Sequence, residues 1–130
     1  MEMSLFEDRA LAATAAEKLR VYAQPQRLMI LSCLLRGGRN VGEISEATGI
    51  EQPALSQQLA ELRRADLVTT QKEAKQVRYS LADEAVKLCV RNMEAIFGGI
   101  GDVMPVAAEP LQASTQRRVT GAAGFAKVLD

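Results

Sequence analysis

The side chains able to do chemistry in this 130-residue chain are few, and one type is missing altogether: there is no histidine. Without an imidazole, Ser-His-Asp and Cys-His nucleophile pairs, zinc sites that use His, and His general-base work near neutral pH are all excluded. Two cysteines, Cys33 and Cys89, are too few for a four-thiolate zinc site within one chain, and their spacing fits no ribbon, finger or thioredoxin-like motif. The remaining chemistry is noncovalent. Gln52, Ala54, Ser56 and Gln57 form a run of short side chains, followed by Arg63, Arg64, Lys72, Lys75 and Arg78. On a helix front, Gln can pair bidentately with adenine and Ser can contact several bases, while the Arg and Lys side chains suit phosphate oxygens. The plain alternative is a polar, solvated helix face. Between Gln52 and Ser80 the five positive residues outnumber Glu61, Asp66 and Glu73, a weak basic patch that a dimer would present twice.

The length is that of about one domain. Lys plus Arg and Asp plus Glu both count 16, so the net charge is zero and any electrostatic argument must be local. A hydrophobic fraction of 48% beside 25% charged residues is the composition of a chain with a real core. Only 4% of residues are aromatic and Trp is absent, so that core is built from Leu, Val, Ile, Met and Ala, which favours helices. Met1 to Ala10 carry Glu2, Glu7 and Asp8 and no apolar run. Neither a signal peptide nor a membrane span is expected there, and a cytoplasmic location with reduced thiols is the expectation.

The elements that must position these residues read as follows. Ala12, Ala15, Ala16, Leu19 and Tyr22 or Ala23 recur at helical spacing from Arg9 to Ala23, a narrow Ala-rich stripe suited to close helix packing. Pro25 falls at a first-turn position, and Arg27 to Leu35 is a very apolar helix stopped by Gly37 and Gly38. Asn40 with Glu43 makes a capping box for a short helix that Gly49 ends. Pro53 opens another, with Leu55, Leu59 and Leu62 as its apolar rear. Two short helices around a glycine-containing turn form a helix-turn-helix candidate. Val68 to Lys72 and Gln76 to Leu81 are strand-like, and the tip Glu73-Ala74-Lys75, lacking Asn-Gly chemistry, predicts a loose hairpin. Asp83 and Glu84 start a last helix striped by Val86, Cys89, Val90, Met93 and Ile96 or Phe97, ending at Gly98-Gly99.

The fold predicted is mainly α with a β-hairpin wing: a winged helix-turn-helix over residues 1–98, followed by a Pro- and Gly-containing linker and tail over 99–130 in which Thr120 to Leu129 could form one short helix. The surplus apolar surface of the first and last helices, Leu19, Val86, Val90, Met93 and Ile96, predicts a homodimer paired through its terminal helices.

Arg27-Leu28-Met29, Val41-Gly42-Glu43-Ile44, Gln52-Pro53-Ala54-Leu55-Ser56-Gln57-Gln58-Leu59 with Leu62-Arg63-Arg64, and Val77-Arg78-Tyr79 together resemble the ArsR-type winged-helix repressors over roughly Arg9 to Phe97. The resemblance implies a dimeric transcriptional repressor, not an enzyme, that binds a palindromic double-stranded operator and is released by an inducing signal. Base reading is expected through Gln52, Ser56 and Gln57 and the wing, and no membrane partner is expected. Metal-sensing relatives carry a Cys-x-Cys pair where this chain has Val41 to Ser45, and use Asp and His in the last helix; neither pattern is present, so no metal or other cofactor is expected. What remains is similar to the metal-free HlyU-like and BigR-like subgroup, in which one cysteine in the second helix and one late in the last respond to oxidants or persulfides. Aligned on Val41-Gly42-Glu43, the subgroup's first cysteine falls on Ser32, and Cys33 lies one residue on, about 100° around the helix. The second falls on Gly98, while Cys89 is well before it. Cys33 and Cys89 are therefore either switch thiols at shifted positions, arsenic- or persulfide-responsive, or two small core hydrophobes. A winged helix acting only as a protein-interaction module is the alternative of another class.

Overall fold

Pro25 opens the helix around which the others assemble. The structure, a computed structural model, describes residues 3–99; the linker and short helix expected beyond Gly98 fall almost wholly outside that range. A short turn at Leu5–Glu7 leads into α1 (Arg9–Tyr22), capped by Asp8, whose carboxylate accepts the Leu11 N–H. In α2 (Pro25–Leu35) the Gln24 side chain accepts the Arg27 N–H at 2.8 Å, and Pro25, with no N–H to satisfy, fills the first turn. Ile30, Leu31 and Leu34 on this helix are buried, and it packs against α1 and against the three later helices and the second strand described below. It is the central core helix that its apolarity predicts.

Helix α3 (Val41–Thr48) begins with the reciprocal capping box: Asn40 Oδ1 accepts the Glu43 N–H at 2.9 Å, and Glu43 Oε1 accepts the Asn40 N–H at 3.0 Å. Gly49, at φ 78°, closes it in the left-handed conformation that a residue with a Cβ adopts only at a cost. Helix α4 (Ala54–Arg64) buries Leu55, Leu59 and Leu62, as their spacing predicts. Strands β1 (Val68–Glu73) and β2 (Gln76–Leu81) pair antiparallel from Val68 opposite Leu81 to Glu73 opposite Gln76. Arg39 adds a one-residue third strand: its N–H donates to the Tyr79 carbonyl at 2.9 Å, and Tyr79 returns the bond at 2.8 Å. Helix α5 (Glu84–Met93) is capped by Asp83 and continues as a π-helical turn, Glu94–Gly98.

Two expectations are corrected. The hairpin tip is tight, since Glu73 pairs with Gln76 and only Ala74 and Lys75 turn the chain. Such a turn needs positive φ, and Ala74 supplies it at 53° despite its Cβ. On the α1 stripe only Tyr22 is buried, and Leu19, 59% exposed, is the surplus apolar surface that its spacing predicts. Finally, α5 does bury a face within its own protomer. Val86 (6% exposed) and Val90 (3%) belong to the core, and Met93 packs against it, so Val86 and Val90 are not free surface for a partner. The apolar side chains α5 and its extension leave open are Leu88, Ile96 and Phe97, the last 85% exposed.

Candidate nucleic-acid interface

The depth of α4 in the fold is set by its rear. With Leu55, Leu59 and Leu62 buried, Ser56 and Gln57 are carried to the opposite, exposed side, where short polar side chains meet whatever lies against the helix. The turn before it is braced from α3: Ser45 Oγ donates to the Ile50 carbonyl at 2.8 Å, and Thr48 Oγ1 accepts the Ile50 N–H at 3.2 Å. Ile50 is buried. The two helices thus meet at a turn held by side chains as well as backbone. Ala54 is half-buried. Gln52 is exposed, but its Oε1 accepts the Ser56 N–H at 3.0 Å; it serves as a cap for α4, leaving its amide nitrogen as the group that faces outward chemistry.

The predicted cations divide into two sets. Arg64 is ion-paired with Glu61, and Arg78 approaches Glu73 at 4.0 Å across the hairpin. Arg63, Lys72 and Lys75 are exposed and have no ion-pair partner among the described residues. These three are the cations immediately available to an anionic partner. The wing carrying Lys72, Lys75 and Arg78 is anchored to α3 by Asn40 Nδ2, which donates to Gln76 Oε1 at 3.0 Å, and to the segment before α3 through Arg39. Gly38 lies so close beneath the wing that a Cβ there would sit 2.7 Å from both Arg78 Nε and Ser80 Oγ.

Composition and spacing did not reveal Arg39, Asn40 or Gln76 as wing anchors. Asn40 was legible as a cap, but its second bond joins residues far apart in sequence.

The comparisons decide what this arrangement belongs to. The model of the bacterial regulatory proteins of the arsR family matches residues 24–70, from the cap of α2 into β1. The biofilm growth-associated repressor of Agrobacterium fabrum is 42% identical over 86 residues, 66% of this chain and 74% of that protein. The chain belongs to the ArsR family. Another relative, the transcriptional activator HlyU of Vibrio cholerae, is 40% identical over 95 residues, 73% of this chain and 88% of its own length. The crystal structure of the transcriptional repressor BigR from Xylella fastidiosa superposes with a TM-score of 0.67 at 35% identity, covering 73% of this chain and 97% of that one. This ArsR-family chain is accordingly a winged-helix, DNA-binding transcriptional regulator, α3 and α4 being its helix-turn-helix and β1–β2 its wing.

Its two thiols are free and lie apart in the fold. Cys33, half-buried, lines a cleft with Met29, Arg36, Arg39 and Thr48. Cys89 is exposed rather than a core residue, and lies in a different cleft against Tyr22, Lys18 and Asp83. The Tyr22 hydroxyl, buried beside Cys89, has its pKa pushed well up, first by loss of water and then by the neighbouring thiol. The positions where the thiol-sensing subgroup would place its pair, Ser32 and Gly98, line one apolar cleft between α2 and the π-helical turn. In this chain those two positions hold a hydroxyl and a glycine. No helix among the described residues is long and apolar enough to cross a membrane.

Proposed function

We propose that this ArsR-family regulator is a cytoplasmic homodimeric repressor, without enzymatic activity, that reads a palindromic operator through Ser56, Gln57 and the amide nitrogen of Gln52 while Arg63, Lys72 and Lys75 engage phosphates. The observation that carries this reading is the pairing of a fully buried leucine rear on α4 with an exposed Ser56–Gln57 front, flanked by cations that have no acidic partner among the described residues. Base contacts specify and phosphate contacts position, and the two sets occupy separate side chains here. Leu19, Ile96 and Phe97, exposed on the terminal elements, are surface that a second copy would cover; a two-fold dimer then matches a two-fold operator. Two of the three relatives reported above are named repressors and one an activator, which favours repression by that margin alone.

The test starts from the duplex that the full-length protein enriches from a randomised pool. Gln57→Ala should weaken binding to that duplex by roughly 1 to 3 kcal/mol and leave an unrelated duplex of equal length nearly unaffected. Arg63→Ala and Lys72→Ala should weaken both and flatten the dependence of affinity on salt. Equal losses on both duplexes for Gln57→Ala would remove it from base reading, and failure to enrich any sequence would leave the interaction-module alternative standing.

A further inference from the structure

Arg27 lies in the first turn of α2, half-buried, with its guanidinium directed to two other helices. Its Nε donates to Gln58 Oε1 on α4 at 2.8 Å, and its Nη1 donates to the Val21 carbonyl in the last turn of α1 at 3.1 Å. A second, longer bond follows the same route: Lys18 Nζ on α1 donates to the Ala65 carbonyl, just past the end of α4, at 3.4 Å. From these contacts we infer that Arg27 is a positioning residue for DNA reading, fixing the rotation of α4 about its own axis by holding Gln58 against the end of α1.

The physical case rests on what apolar packing cannot do. Leu55, Leu59 and Leu62 hold α4 at its depth, but dispersion contacts are non-directional and allow a helix to roll over its leucines by several degrees. A hydrogen bond from a planar guanidinium is directional and, being charge-assisted, stronger than a neutral one. Gln58 stands immediately beside Gln57 in sequence, about 100° around the helix from it. Pinning the one therefore sets the angle at which the other is presented, and bidentate base recognition tolerates only small errors of position. Arg27 is suited to this because its fork reaches two acceptors at once, which the single ammonium of Lys does not reproduce. The same contact links α1, which carries the exposed Leu19 surface, to the reading helix, so that a rearrangement at the terminal helices would be felt as a rotation of α4.

This role rests on the DNA-reading function proposed above, and the experiment keeps the two separable. Arg27→Lys, Gln58→Leu and the double variant, each as the full chain, are titrated against the duplex enriched by the wild type and against an unrelated duplex of equal length. Each single variant should lose about tenfold on the enriched duplex, the size of one charge-assisted hydrogen bond, and stay within about twofold on the other. The double variant should lose no more than the weaker-binding single one. Additive losses, or equal losses on both duplexes as a phosphate contact would give, would overturn the assignment. Without DNA, the Arg27 Nε–H resonance should exchange slowly with water in the wild type and rapidly in Gln58→Leu; rapid exchange in the wild type would overturn it even if the variants proved unstable. A wild type that enriches no sequence while keeping a slow Nε–H would instead sink the function on which the role depends, and the role with it.

Discussion

Glu94 in the π-helical turn grips Arg36 at the end of α2 with both carboxylate oxygens, Oε2 to Nη1 at 2.9 Å and Oε1 to Nη2 at 3.2 Å, and also accepts the Ser32 hydroxyl. This is the polar tie between the core helix and the last element of the domain. The Arg36 hydrogen bond, followed by Ser32 and by the guanidinium charge, holds the Glu94 carboxyl below its ordinary value of 4.5 against the opposing effect of partial burial. A depressed carboxylate stabilises the fold fully above its unfolded value, and that stabilisation is lost as pH falls through the folded one. Glu94→Gln should therefore cost about 1 kcal/mol at pH 7, a modest figure because Arg36 is half exposed, and progressively less below pH 4.5. Urea midpoints at pH 7 and pH 3 measure it; a difference from wild type that is the same at both would exclude the ionic tie.

Ala74→Gly should stabilise the wing. At φ 53° the Ala74 Cβ crowds the following carbonyl, a strain of roughly 1 to 2 kcal/mol that glycine relieves. The greater freedom of glycine in the unfolded chain takes back part of this. The expected gain is about 0.5 to 1 kcal/mol, read as a rise in Tm, with Ala74→Val shifting Tm the other way.

Leu19→Asp and Phe97→Asp address the dimer. Both side chains are exposed in the protomer, so a charge at either leaves the fold intact but would be buried unpaired in an interface. Sedimentation should report a monomer, with helical content by circular dichroism unchanged. A dimer of wild-type affinity for both variants would place the interface elsewhere. Met93 is a poorer probe, since it packs on its own core.

Cys33→Ser should still bind the enriched duplex and still repress. The two thiols line separate clefts that have no lining residue in common, and a disulfide needs Cα atoms within about 7 Å. Mass spectrometry after persulfide or oxidant treatment should find no bridge between Cys33 and Cys89 within one chain. Finding one would restore thiol sensing at shifted positions.

What was legible in the sequence was whatever is decided locally. The Asn40–Glu43 box, the glycine stop at Gly49 and the leucine rear of α4 each depend on residues three to seven apart, and each stands where its spacing predicts. Ala74 was unreadable because an alanine with positive φ has no compositional signature; the strand register imposes it. The α5 face is illegible in the sequence for a different reason. Helical periodicity identifies an apolar stripe without saying what covers it, and α2 with β2 reaches Val86 and Val90 inside the protomer. Cys89 went the same way: it shares the stripe's period yet lies at its exposed margin. Arg27 with Gln58 and Ser32 with Glu94 are bonds between residues far apart in the chain, and no periodicity marks them.

The single-residue strand at Arg39 has a consequence for how this domain tolerates altered length. Two residues added between Glu73 and Gln76 extend the hairpin into open solvent, at the small loop-closure cost of a longer turn, and disturb nothing below Gln71. One residue added between Leu35 and Asn40 would carry Arg39 past its partner. A slip of one also displaces Gly38, and any residue but glycine brought into its place would carry a Cβ to 2.7 Å from Arg78 Nε and Ser80 Oγ. The short connection from α2 to α3 is thus the stretch least able to accept an insertion, and the tip of the wing the most able.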